Sequence, residues 1–153
     1  MLTITTYSGL RDSLMHLFSE ADDSESEIAS YIDLGEVLVA RDEQGIVGHV
    51  QIVMCEEAGA IEIKSIAVRD GQRSQGIGGA LIEAAVERCR KSGTPVIRLA
   101  TAAASTDALK FYQRHGFRLV RIIPDFYVAE RGYRPIEVNG IPLRDEVILE
   151  REP

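Results

Sequence analysis

The sequence predicts a mixed α/β domain: a mostly antiparallel sheet of about six to seven strands with one parallel junction, flanked by about four helices. Three observations predict it. Two runs rich in β-branched residues surround Asp42 to Gly45 and read as a hairpin; the pattern between Ile61 and Thr101 changes to strand, loop, helix, strand; and two strand-like runs, FRLVRII and EVILERE, lie near the end. Hairpin-linked runs pair antiparallel, whereas strands joined by a helical crossover form a right-handed parallel pair. At 153 residues, 45% hydrophobic and 27% charged, the chain is long enough to bury a core of its own. No internal repeat or low-complexity tract divides it, so residues 1–153 read as one domain.

Taken in order, MLTITTY alternates as a first strand, and Leu14, Leu17 and Phe18 carry helical spacing within Leu10 to Glu20. ADDSESE is a polar break with capping residues before a short second helix, IASYIDLG, which Gly35 ends. EVLVARDEQGIVGHVQIVMCEE is the hairpin, and EAGA turns the chain into a further strand, IEIKSIAV. Gly76 to Lys91 places Leu81, Ile82, Ala85, Val86 and Cys89 on one helical face, with Gly93 and Pro95 as stop signals. PVIRLAT is the next strand, Ser105 or Thr106 can cap a helix DALKFYQRH, and Gly116 ends it. Pro124 to Arg144 is a connection long enough to be functional or mobile.

Several function classes are disfavoured by composition. A net charge of −7 argues against a nucleic-acid partner, because affinity for phosphate backbones comes largely from Lys and Arg. No run approaches the roughly 18 apolar residues of a membrane span, and the N-terminus lacks the basic lead and apolar run of a signal peptide. A cytoplasmic protein without a membrane partner is therefore expected. Cys55 and Cys89 make no disulfide framework and read as buried free thiols. His16, His49 and His115 form no ligand cluster, so no metal is expected.

The glycine-rich run RSQGIGG, Arg73 to Gly79, is the most informative stretch. A Walker loop needs Lys and Ser or Thr after its last glycine, and Ala80 and Leu81 stand there. A dinucleotide fingerprint needs a third glycine at position 81 and lacks an upstream hairpin. What remains is an Arg-x-x-Gly-x-Gly loop between strand and helix, whose free N–H groups can face a pyrophosphate with help from the helix dipole and Arg73. A glycine-rich turn without a ligand fits the run equally well when it is taken alone.

Two longer segments decide between these. IEIKSIAVRDGQRSQGIGGALIEAA resembles the cofactor-binding motif of the GNAT superfamily of acetyl-CoA-dependent N-acetyltransferases, and STDALKFYQRHGFRLV resembles its second motif. Together they span roughly Ile61 to Val120 in the family's order. The resemblance implies the GNAT fold, acetyl-CoA as cosubstrate, and acetyl transfer to a primary amine by direct attack in a ternary complex. It assigns the pyrophosphate to backbone N–H groups of Arg73, Ser74, Gln75, Gly76, Ile77 and Gly78 with Gly79 beside them, and the pantetheine arm to Ile66, Ala67 and Val68. The sequence adds a hint of its own: Ile61 and Ile63 share one parity, Ile66 and Val68 the other, and a bulge near Lys64 or Ser65 would account for the switch.

The resemblance also implies catalytic roles. Tyr112 stands where the family places a tyrosine that protonates the leaving thiolate; helical spacing alone would make it core with Ala108 and Leu109. Phe111 reads as packing. Glu62 stands where many members carry a carboxylate that deprotonates the amine through water; alternatively it is a strand glutamate paired with Lys64. Ser105 replaces an Asn that often contacts the pantetheine, which implies a weaker or water-mediated contact. Asp22, Asp23, Glu25, Glu27, Tyr127 and Tyr133 are candidate walls of the acceptor cleft, suited to a cationic small molecule or peptide amine, although a solvated loop explains the charge run as well. The final strands often mediate dimers in the family, which implies a homodimer. A non-catalytic CoA-binding module would carry the same motifs.

Overall fold

A computed structural model describes residues 1–55, 59–72 and 75–153. Strands β1 (Thr3–Thr6), β2 (Glu36–Asp42), β3 (Gly45–Cys55), β4 (Ala60–Val68), β5 (Val96–Ala102), β6 (Arg118–Ile123) and β9 (Glu146–Arg151) form one sheet; β7 (Glu137–Val138) and β8 (Ile141–Pro142) form a separate small hairpin. The helices are α1 (Met15–Ala21), α2 (Glu25–Tyr31), α3 (Ile77–Ser92) and α4 (Thr106–Arg114). The sheet order is β1-β2-β3-β4-β5-β9-β6. Every neighbouring pair is antiparallel except β4 and β5, so the expected architecture is the observed one.

Two features of the sheet create the functional region. The parallel ladder joins only Ala60–Ile63 to Val96–Leu99, although β4 continues to Val68 and β5 to Ala102. Beyond Ile63 the two strands therefore part. In the β3–β4 ladder Gln51 faces Ser65 and Ile52 faces Ile63, which leaves Lys64 as the extra residue of a bulge. Ile61 and Ile63 lie in the large core, and beyond the bulge Ile66 and Val68 pack against that same core while Ala67 turns to the smaller one. The parity switch in the sequence is thus a bulge at Lys64.

The sheet is covered on both faces. Leu81, Ile82, Ala85, Val86 and Cys89 of α3 pack onto Val47, Val50, Ile97 and Leu149, the burial expected of an amphipathic helix with a 3.6-residue period. Leu14, Leu17 and Phe18 from the first helical segment pack with Ile28 and Tyr31 of α2 against Val37 and Val39 on the other face.

Several local expectations are corrected. The first helical segment is split into a 3-10 turn, Arg11–Leu14, and α1. Helix α2 starts at Glu25, ahead of the expected Ile28, because Ser24 Oγ accepts the Glu27 N–H at 3.2 Å and caps it. Ser105 occupies the N-cap of α4 but makes no side-chain cap bond. Cys89 is buried, whereas Cys55 is only half-buried.

The connection from Pro124 to Arg144 is built rather than loose. Asn139 (φ 55°) and Gly140 (φ 76°) turn the β7–β8 hairpin, a pairing suited to two consecutive positive-φ positions. Gly132 (φ 85°) brings this connection onto α2: an added Cβ would lie 2.5 Å from Ser24 Oγ, and Ser24 Oγ donates to the Arg131 carbonyl. That contact delivers Tyr133 to the third core, with Ala102 and Leu143.

Candidate active site

Two clefts flank the parting of β4 and β5. The first, of about 820 Å³, is lined by Ile66, Ala67 and Val68 of β4, by Gly76 to Gly79 at the start of α3, and by Phe111 and Tyr112 of α4. Gly76 caps α3 in the left-handed region (φ 78°) without a side-chain cap. The first intrahelical bond is donated by Ala80 to the Gly76 carbonyl at 3.1 Å, so the N–H groups of Ile77, Gly78 and Gly79 precede the hydrogen-bonded ladder. A helix start of this kind is a ready site for an anion.

The absence of side chains at Gly78 and Gly79 has a second use that the sequence did not reveal. A Cβ at Gly78 would lie 3.1 Å from Phe111 Cζ, and one at Gly79 would lie 2.9 Å from His115 Cε1. These glycines let α4 close against the start of α3. Phe111 therefore forms a wall of the cleft as well as packing against the large core. Burial pushes the phenol of Tyr112 up to about 12, so it is a neutral donor at ordinary pH. Its ring meets Phe111 edge-on at 5.3 Å and Phe117 at 6.1 Å, contacts that orient it.

The second cleft lies on the α1–α2 face and is acidic. Asp22, Asp23, Glu27, Glu62 and Glu146 line it together with Lys64 and the aromatic residues Tyr31, Phe126, Tyr127 and Tyr133. Asp22 organises one wall: its carboxylate accepts from Tyr31 Oη at 2.9 Å, Tyr133 Oη at 2.7 Å and the Ser24 N–H at 3.0 Å. Burial first, and Asp22 second, hold the Tyr31 and Tyr133 phenols above their ordinary range. Tyr127 is raised by burial and by Glu146, Asp22 and Asp23. Glu27 pairs with Arg131 at 3.6 Å and Glu62 with Lys64 at 3.5 Å. The Lys64 ammonium also sits 5.1 Å from the centre of the Tyr31 ring. Burial lifts Glu146 to about 7, with Glu62 and Glu27 raising it and Lys64 and Arg131 opposing.

Most residues singled out from the sequence fall into these clefts. Ile66, Ala67, Val68, Gly76, Ile77, Gly78, Gly79 and Tyr112 meet in the first; Asp22, Asp23, Glu27, Glu62, Tyr127 and Tyr133 meet in the second. Ser105 lines the acidic cleft rather than the glycine-bounded one, and Gln75 and Glu25 are exposed outside both linings. Arg73 and Ser74 lie outside the described residues. Sequence reasoning missed Glu146 and Tyr31, which show only ordinary strand or helix patterning, whereas the pairing of Glu62 with Lys64 that it offered as an alternative is present. Among the described residues no group of three or more His, Cys, Asp or Glu is arranged to hold a metal ion, and no helix is long and apolar enough to cross a membrane.

A splayed parallel pair, a bulge beside it and a glycine start to the next helix without a side-chain cap together bound the first cleft. Residues 7–117 match the family model of the acetyltransferase (GNAT) family. The chain belongs to that family and is an acetyltransferase by its membership. It is 33% identical over 138 residues to the uncharacterized N-acetyltransferase YvbK of Bacillus subtilis, covering 90% of this chain and 88% of the relative. A GNAT family acetyltransferase from Elizabethkingia anophelis, solved with acetyl-CoA bound, superposes with a TM-score of 0.91 at 29% identity over 99% of this chain and 98% of the other. A Bacillus subtilis acetyltransferase in complex with CoA gives 0.89 at 30% identity over 100% and 99%. An IAA acetyltransferase from Bacillus cereus gives 0.89 at 29% identity over the whole of both chains.

Proposed function

We propose that this protein transfers the acetyl group of acetyl-CoA to a primary amine of a cationic small molecule or peptide, by direct attack in a ternary complex. The observation that carries the reading is the juxtaposition of two clefts of opposite character at the parting of β4 and β5. The glycine-bounded cleft fits a CoA thioester: its volume suits an extended ligand, the start of α3 presents N–H groups for the pyrophosphate, and β4 lends an unpaired length of main chain to the pantetheine. Relatives solved with acetyl-CoA or CoA support the choice of ligand.

The acidic cleft supports an ammonium-bearing acceptor. Lys64 indicates what it recognises, because its ammonium is held between the Glu62 carboxylate and the Tyr31 ring. In the reaction the amine nitrogen must lose a proton before attack, and the departing thiolate must gain one. In this reading Tyr112 supplies the latter, supported by its neutral phenol and its position in the lining of the glycine-bounded cleft. For the former the acidic cleft offers Glu62, the carboxylate expected from the family resemblance, and Glu146.

Calorimetric titration with acetyl-CoA, with ATP and NAD as controls, followed by an amine screen for CoA release, tests the reading. Micromolar binding of acetyl-CoA alone and turnover of at least one cationic amine are expected. Tight binding without turnover across the panel points instead to a CoA-binding module, and binding of ATP or NAD without acetyl-CoA overturns the assignment of the glycine-bounded cleft.

A further inference from the structure

We propose that Glu146 of β9 is the group that takes the proton of the acceptor ammonium in the acidic cleft. The inference rests on reading that cleft as the acceptor site. Among its carboxylates, Asp22 is occupied by two phenols and an N–H, Glu27 by Arg131, and Glu62 by Lys64; Asp23 is exposed. Glu146 is the carboxylate that is both half-buried and without a hydrogen-bond or ion-pair partner among the described residues. Its position is fixed from both sides, since β9 is hydrogen-bonded between β5 and β6, and Glu146 faces Ala102 on one side and Ile123 on the other. Ala102 is the last residue of β5, four residues ahead of the start of α4, the helix that carries Tyr112. Acid and base thus reach the parting of the strands from the two clefts.

The electrostatics suit the role. The charged groups that act on Glu146 are Lys64 and Glu62 from β4, Arg131 from the connecting segment and Glu27 from α2; the phenol of Tyr127, with which it also interacts, remains neutral. Burial dominates and brings the carboxyl to about 7, near the operating pH at which a general base is most effective. The ammonium gives one proton to Glu146, and the freed lone pair forms the C–N bond as the C–S bond breaks. The sulfur takes the phenol proton of Tyr112, whose oxygen recovers the second nitrogen proton, and Glu146 releases its proton to solvent. The products are the amide, CoA thiol and one proton.

The test compares wild type with Glu146→Gln, Glu62→Gln and Glu146→Asp. Linear diamines, amino sugars and peptide N-termini are screened at saturating acetyl-CoA, and the best acceptor is followed from about pH 5.5 to 9.5. In parallel, side-chain 13C NMR follows the glutamate carboxyls of the unliganded protein. Glu146→Gln is expected to lower kcat by about 100- to 10,000-fold, abolish the acid limb near neutral pH and leave the Kd for acetyl-CoA within about twofold, while Glu146→Asp restores the limb. One glutamate resonance titrating near neutral pH should vanish in Glu146→Gln. An acid limb that survives Glu146→Gln, one removed by Glu62→Gln alone, or no glutamate titrating near neutrality overturns the role while leaving the transferase reading intact. Failure of every amine to turn over overturns the transferase reading, and the role falls with it.

Discussion

The glycine-bounded cleft and the acidic cleft open on the same parting of β4 and β5, yet they are assembled differently. The first is drawn mostly from two short stretches of chain, Ile66 to Gly79 and Asp107 to His115, and its character comes from what is absent: no side chain at Gly78 or Gly79 and no side-chain cap bond at the start of α3. The second gathers its lining from the end of α1, α2, β4, β5, the long connection and β9, and its character comes from charges held in low dielectric. Under the proposed function, the acetyl-CoA shared by the reaction lies in the local construction. The proposed acceptor faces the other construction, in which a change in any of several distant segments alters the lining.

The largest effect that would break this division is chemical. Tyr112→Phe should lower kcat by about 10- to 1,000-fold, with the calorimetric Kd for acetyl-CoA nearly unchanged; an unaltered rate under conditions where chemistry is limiting would return Tyr112 to a packing role. Next, Gly78→Val should weaken acetyl-CoA binding by about 100-fold, or about 2.7 kcal/mol, because a branched Cβ enters the cleft beside Phe111. The Val variant paired with Phe111→Ala separates ring displacement from direct obstruction: recovered affinity in the double variant would assign the loss to the ring.

Smaller effects sharpen the account of the acidic wall. Asp22→Asn replaces an acceptor that serves two phenols and an N–H and should cost about 1 to 3 kcal/mol in urea unfolding, with acetyl-CoA affinity preserved. The smallest expected effect is on stability against pH. Burial raises the folded-state pKa of Glu146 from 4.5 to about 7, so its protonated form favours the folded protein below pH 4.5 and that contribution is lost as pH rises through 7. Glu146→Gln should therefore match wild type near pH 4 and exceed it in Tm by about 2 to 4 °C near pH 8.5, the change expected of roughly 1 kcal/mol after solvent screening. A higher wild-type Tm at alkaline pH would contradict the burial of this carboxyl.

His49 gives an opposite pH signature on the far side of β4. It is fully buried against Phe18 at 4.4 Å between ring centres, with Nε2 within 2.8 Å of Ser65 Oγ. Burial lowers it to about 3. Its neutral form stabilises the folded protein above pH 6.5, and that contribution is lost as pH falls from 6.5 towards 3. Acid unfolding followed by circular dichroism should show this loss, reduced in His49→Gln.

The amino-acid sequence by itself determined the order of the elements, the site of the bulge, and most of the glycine-bounded cleft. Each of these is written in neighbouring residues: helical and strand periods, the parity switch from Ile61 and Ile63 to Ile66 and Val68, and the glycines ahead of α3. Tertiary structure decided the rest. Nothing near Glu146 distinguishes it from a solvent-facing strand residue; it enters the cleft because β9 inserts between β5 and β6. Ser105 keeps its N-cap position yet faces the acidic cleft, and the closure of α4 on Gly78 and Gly79 depends on where Phe111 and His115 arrive. Backbone periodicity and turn geometry are local properties of the chain, whereas burial of a charge depends on strands that meet only after the whole sheet has assembled.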